Sequence, residues 1–168
     1  MEKLGDVMNK KPPMGKMLSV EQALSRLRQL CSRAEKCASD AQKKLHDWKI
    51  PANEIPAIIK KLQVQGFIDE ARYAKAFVRD KSGLSHWGTV KIKQALQTKK
   101  IPAALITEAL QEIDREKYEN DLVQLLQRKE AALKAASPAE CAARLLRFAL
   151  SRGYEYDAAQ DAVRRLAG

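Results

Sequence analysis

AQKKLHDWKIPANEIPAIIKKL, residues 41–62, lies over IKQALQTKKIPAALITEALQEI, residues 92–113, with no gap. Leu45 falls on Leu96, Ile50 on Ile101, Pro51 on Pro102, Ile55 on Ile106, Ile59 on Leu110 and Leu62 on Ile113. LRFALSRGYEYDAAQDAVRRL, residues 146–166, lays Ala149, Tyr154, Ala159, Val163 and Leu166 on the same places. The shared apolar positions recur every three or four residues, the spacing of one face of a helix. Self-similarity at this period signals stacked units, each covering the apolar face its neighbour cannot bury alone.

Upstream of each copy stands a further amphipathic stretch: VEQALSRLRQL, DEARYAKAFVRDK and NDLVQLLQRKE. Each unit therefore reads as three short helices. Ser19 with Gln22, Ser32 with Glu35 and Ser137 with Glu140 match the capping box and predict three helix starts. Pro102 and Pro138 suit a first helical turn, and Asn53, Asp69 and Asp157 suit further caps. The expected fold is all-α, an elongated, curved array of three tandem three-helix repeats over residues 18–67, 68–114 and 115–168. Residues 1–17, with four lysines and a Pro12-Pro13 pair, are expected to form a flexible basic arm.

Composition agrees with helix: aromatics are 5% of the 168 residues, with 7 Gly and 6 Pro, too few for a sandwich or barrel. Cys31, Cys37 and Cys141 form no even framework and no metal spacing, so they read as packing residues kept reduced in the cytoplasm. No apolar run has the length of a membrane span, and the start lacks a signal-peptide core. The catalytic inventory is thin. His46 and His86 have no acid or Cys at ligand spacing, the serines occupy caps, and Gly66, Gly83, Gly88 and Gly153 are isolated turn glycines that make no phosphate loop. No catalytic residue, metal or cofactor is expected. The acidic run EALQEIDREKYEND reads as a solvated helix junction.

Positive charge is the informative feature. The chain carries a formal +10, and a basic face attracts polyanions. No acid occurs between Asp80 and Glu108, an interval holding Lys81, Lys91, Lys93, Lys99 and Lys100. A second acid-free interval, 142–154, holds Arg144, Arg147 and Arg152 in the equivalent helix of the third repeat. These residues, with Arg72 and Arg79 of the preceding amphipathic stretch, are the candidate binding set. Lysine contacts to phosphate would be salt-sensitive and indifferent to sequence. Trp48 and Trp87 have the chemistry to stack on bases, but each repeat needs a large apolar filler, so both read as core. Phe67, Tyr73 and Phe77 read as packing between repeats.

GFIDEARYAKAFVRDK at 66–81 followed by KIKQALQTKKIPAALITEAL at 91–110 resembles the middle repeat of the RecX family of bacterial recombination regulators. The resemblance rests on Gly66, Phe67 and Ile68, on the Asp69 cap with Tyr73 and Ala74, on Phe77, Val78 and Arg79, and on Ile92, Leu96 and Ile101. ALSRLRQLCSRAE at 23–35 resembles the family's first repeat, and RLLRFALSRGYEYDAAQDAVRRL its last. SGLSHWG stands where the family commonly has a glycine- and arginine-rich loop. The resemblance implies a non-enzymatic modulator, usually an inhibitor, of the RecA recombinase. Such a protein lies along the groove of the RecA filament on single-stranded DNA, lowering ATP hydrolysis, strand exchange and coprotease activity. The implied partners are the RecA filament and DNA, with no membrane, and the protein itself a cytoplasmic monomer. Two other readings of the same residues are a direct DNA-binding protein acting without a recombinase, and a helical-repeat adaptor for another protein.

Overall fold

The computed structural model describes residues 17–168, and all but the last residue of the expected basic arm lie outside it. Among the described residues there are nine α-helices and no strand. The first repeat holds α1 (Val20–Arg33), α2 (Ala38–Asp47) and α3 (Ile55–Val64). The second holds α4 (Glu70–Gly83), α5 (Thr89–Thr98) and α6 (Ala103–Gln111), and the third α7 (Arg115–Ala132), α8 (Pro138–Ser151) and α9 (Tyr156–Ala167).

Local chemistry sets the first helix of each repeat. Ser19 accepts from the Gln22 N–H, and the Gln22 side chain accepts in return from the Ser19 N–H, closing a capping box on α1. Asp69 and Asp114 cap α4 and α7 in the same way, each accepting from the third residue on; such a cap is worth about 1 kcal/mol. Ser137 caps α8 above Pro138, and Glu140 reaches one residue further back than a box requires, to the Ala136 N–H. The Ser32–Glu35 box does not form. α1 runs on to Arg33, so Ser32 sits in its last turn and donates to the Gln29 carbonyl, while Glu35 pairs with Arg72 and Cys37 opens α2. Asn53 and Asp157 are not caps either, since Glu54 and Glu155 hold those positions.

Three cores lie in series. Leu27, Leu45, Ile58 and Leu62 anchor the first, Val78, Ile92, Leu96 and Ile106 the second, and Leu122, Leu126, Leu145 and Tyr154 the third. Each such buried side chain stabilises by about 1.5–3 kcal/mol. Ala149 replaces the Leu45 and Leu96 of the earlier repeats, and the third core recovers volume from Tyr154, whose ring meets Tyr118 at 5.1 Å. Phe67 and Phe77 fill the cores of their own repeats rather than the joints expected for them, whereas Tyr73 does reach across to Cys37.

The second helix of every repeat ends identically. Lys49, Lys100 and Gly153 take positive φ of 57°, 59° and 85°, and the next residue donates back to Leu45, Leu96 or Ala149. In the second and third repeats this turn docks on the start of the preceding repeat's second helix. At the first joint the bonds run through charged side chains. Lys99 Nζ lies 2.6 Å from Asp40, Arg72 Nε 2.6 Å from Glu35, and Glu70 accepts from the Ala38 N–H at 2.6 Å. At the second joint backbone meets backbone: the Gly88 N–H donates to the Arg152 carbonyl (2.8 Å) and the Val90 N–H to the Gly153 carbonyl (3.0 Å). Trp48, which precedes the turn of the first repeat, folds onto its own core with Arg26 stacked 5.8 Å from the ring centre.

Candidate functional site

The candidate cations divide by what holds them. Lys93 and Lys100, on α5 and its terminal turn, and Arg147 on α8 are exposed and make no hydrogen bond or ion pair among the described residues. Lys81 and Lys91 place their ammonium groups 4.6 and 4.3 Å from the centre of the Trp87 ring, each contact worth about 0.5–1 kcal/mol. That half-buried indole packs edge-on against Phe77 at 6.4 Å. Trp87 is therefore core filler, as its sequence context predicts.

The remaining candidates are engaged within the molecule. Lys99 and Arg72 form the first joint, and Arg72 also donates to the Gly66 carbonyl at 2.9 Å. Arg152 donates to the Ser85 carbonyl across the second joint, leaving its Nε buried without a partner. Arg144 pairs with Glu140 at 2.5 Å, and Arg79 with Asp80 at 3.5 Å. Sequence shows where charge is dense but not which charges are matched.

Lys43 and Lys44 on α2 are the cations that sequence reasoning missed; both are exposed and without a hydrogen-bond or ion-pair partner. The signal was available, because the repeat alignment that puts Leu45 on Leu96 also puts Lys43 on Gln94 and Arg147. The second helix of each repeat thus presents free positive charge: Lys43 and Lys44, then Lys93, then Arg147. Repeated cations on equivalent helices suit an extended polyanionic partner, with attraction screened over about 10 Å at 0.1 M salt.

The second joint holds this ladder in register. The Tyr118 hydroxyl accepts from the Thr89 N–H at 3.0 Å and donates to Glu155 at 2.8 Å, linking the start of α5 to the cap of α9. Burial pushes the Tyr118 phenol up, so it stays a donor. Burial also pushes Glu155 upward, but its own N–H, Tyr118, Thr89 and Arg115 together hold the carboxyl below its ordinary value. Tyr118→Phe removes both bonds and leaves the Thr89 N–H unpaired, so it is expected to cost about 1–3 kcal/mol in thermal denaturation. A loss within error of zero would mean that water replaces the hydroxyl.

Comparison with known proteins agrees with this architecture. Residues 69–110 match the family model described as RecX, second three-helix domain. The chain is 33% identical over 138 residues to the regulatory protein RecX of Leptothrix cholodnii, covering 82% of this chain and 84% of that one. It is also 33% identical over 114 residues to the regulatory protein RecX of Clostridium botulinum (strain Eklund 17B), and the match spans 53% of that relative's length. The crystal structure of RecX from Lactobacillus salivarius superimposes with a TM-score of 0.74 at 20% identity, over 88% of this chain and 96% of that one, and shows the same fold. Among the described residues no helix is long and apolar enough to cross a membrane.

Proposed function

Since this chain belongs to the RecX family, we propose that it regulates the RecA recombinase without chemistry of its own, as a cytoplasmic monomer that inhibits by lying in the groove of the RecA filament on single-stranded DNA. The observation that carries this reading is the ladder of unpaired cations along the second helices, one step per repeat. A rod of three units touching several protomers at once gains from multivalency, since each later contact forms at a high effective concentration. It can then hold the filament in a geometry less competent for ATP hydrolysis, strand exchange and coprotease action. Lys93, Lys100 and Arg147 are the leading contacts, with Lys43 and Lys44 extending the row. Lys91 and Lys81 contribute from beside Trp87, while Lys99, Arg72 and Arg152 act by holding the repeats in register.

The test is the rate of ATP hydrolysis by the cognate recombinase on single-stranded DNA, titrated with this protein beside a DNA-only binding control. A fall with dose, beyond what competition for DNA explains, is expected. Reversing Lys93, Lys100 and Arg147 to Glu together is expected to weaken filament association about tenfold or more at low salt, with the gap closing as salt rises. All three side chains are exposed, so the fold survives the change. Unchanged filament affinity in the triple variant would remove the ladder from the interface. An unaffected hydrolysis rate, alongside tight salt-sensitive binding to DNA alone, would establish direct DNA binding instead.

A further inference from the structure

The two joints are held by different chemistry. Broad helix-on-helix packing is confined within each repeat, so each joint rests on the few bonds that cross it. At the second, neutral backbone meets neutral backbone at Gly88 and Val90, Ile113 belongs to the cores on both sides, and Arg152 has its Nε buried in the joint. At the first, the buried Cys37 enters the second core, and the bonds around that pivot are charged: Lys99 on Asp40, Arg72 on Glu35, and Glu70 on the Ala38 N–H. The Lys99 and Asp40 side chains are 32% and 31% exposed, so a dissolved anion reaches them. Ion pairs this open to solvent contribute little and yield to competing charge. The contact also lies in the path of the cation ladder. Asp40 lines the same groove as Lys43 and Lys44, three and four residues on, and Lys99 adjoins the exposed Lys100, which has no ion pair among the described residues. A polyanion running from α5 onto α2 must pass it.

We infer that the Lys99–Asp40 contact is an autoinhibitory clasp: a polyanion laid from α5 onto α2 takes Lys99 from Asp40 and frees the first repeat to turn about Cys37, while the second and third repeats stay locked together. The clasp presupposes that the second helices face a polyanion, as proposed above, and adds a response to that contact. With the clasp shut, a phosphate on Lys43 or Lys44 meets the Asp40 carboxylate in the same groove, a like charge that Lys99 offsets. A nucleic-acid phosphate that pairs with Lys99 also releases condensed counterions, which the Asp40 carboxylate cannot do, so the exchange favours the phosphate. Asp40 is then uncompensated beside incoming negative charge and is pushed away from it, which opens the joint on that side. Linkage is reciprocal, so opening the clasp beforehand raises affinity for the polyanion.

The probe is a fluorescein-labelled single-stranded oligothymidylate, titrated by anisotropy at low salt against the full chain, beside amide hydrogen exchange read by NMR. The Ala38 amide reports the first joint, and the Gly88 and Val90 amides the second. Saturating oligonucleotide is expected to speed exchange at Ala38 by about fivefold or more and to leave Gly88 and Val90 unchanged. A bound polyanion by itself repels hydroxide and slows exchange, so the direction distinguishes opening from mere proximity of charge. Asp40→Asn is expected to speed Ala38 exchange with no oligonucleotide present and to tighten binding by about fivefold. Asp47→Asn, which removes the same charge from the same groove outside the clasp, is expected to tighten binding less and to leave Ala38 unmoved. Lys99→Gln is expected to speed Ala38 exchange but weaken binding, whereas a contact that only aligned the repeats would weaken binding when broken from either side. The wild-type exchange measurement carries the test should Asp40→Asn disturb the fold. Bound oligonucleotide with Ala38 unchanged, equal acceleration at Gly88 and Val90, or Asp40→Asn no tighter than Asp47→Asn overturns the clasp and leaves the polyanion face standing. No binding by the wild type overturns that face and the clasp with it.

Discussion

Gly153→Ala is expected to lower stability by about 3 kcal/mol or more and to unseat the third repeat from the second. Two effects add. Gly153 sits at φ 85°, a conformation costing an L residue about 1–2 kcal/mol, and its added Cβ would overlap the Cβ and backbone nitrogen of Lys91. Neither atom can rotate aside, because both belong to the first turn of α5. The opposing surface is equally intolerant: a Cβ on Gly88 would meet the Gly153 carbonyl and the Tyr154 nitrogen. Two glycines are needed because the Gly88 and Val90 N–H groups draw one backbone directly onto another. Gly66 supplies the control. It has φ 76° with open space around the absent side chain, so Gly66→Ala is expected to cost only the conformational part. Gly83 lies in α4 with nothing nearby, and Gly83→Ala is expected to stabilise by about 0.5–1 kcal/mol. Calorimetry, with hydrogen exchange at the Gly88 and Val90 amides, reads all three variants. A Gly153→Ala loss no larger than that of Gly66→Ala would mean that the joint yields without cost.

The second large effect separates the middle of the array from its end. Leu96 and Leu45 occupy the same place in successive repeats, and both are fully buried. Truncating either to Ala is expected to cost about 2–5 kcal/mol from lost burial and the cavity left behind. The consequences differ, because in a linear array each unit leans only on its neighbours. Leu96→Ala weakens the unit that contacts both others, so amide protection is expected to fall in all three cores. Leu45→Ala weakens a unit joined on one side through Asp40, Glu35 and Ala38, and protection in α7–α9 is expected to persist. Full retention of protection in both outer repeats of Leu96→Ala would contradict the linear picture.

The architecture was legible because its determinants are periodic. Leu45 on Leu96 and Pro51 on Pro102 repeat at one spacing, and hydrophobic periodicity fixes both the helices and their stacking. Caps were legible where a side chain faced its own helix, as at Ser19 and Asp69. They failed at Ser32, where α1 simply continued, since local pattern does not reveal how far packing extends a helix. The contact of Gly88 with Gly153 left no trace, because two isolated glycines look alike wherever they lie. Charge was the least legible property. Lys99 and Lys100 are adjacent and chemically identical, yet one is clasped by Asp40 and the other is free, a distinction that only the fold of a distant helix creates.

The unlike joints also bear on how such a gene can grow. Duplicating the third unit in tandem would present its Arg152–Gly153 turn to Cys141, which aligns with Gly88 but lies inside α8 with its N–H already donated to the Ser137 carbonyl. A cysteine side chain there would block the backbone approach that the turn requires. Lengthening by duplication therefore needs α8 to begin a turn later with glycine at the receiving position, or a switch to the side-chain bonding used between the first two units. New modules are admitted only when the acceptor mutates with the donor.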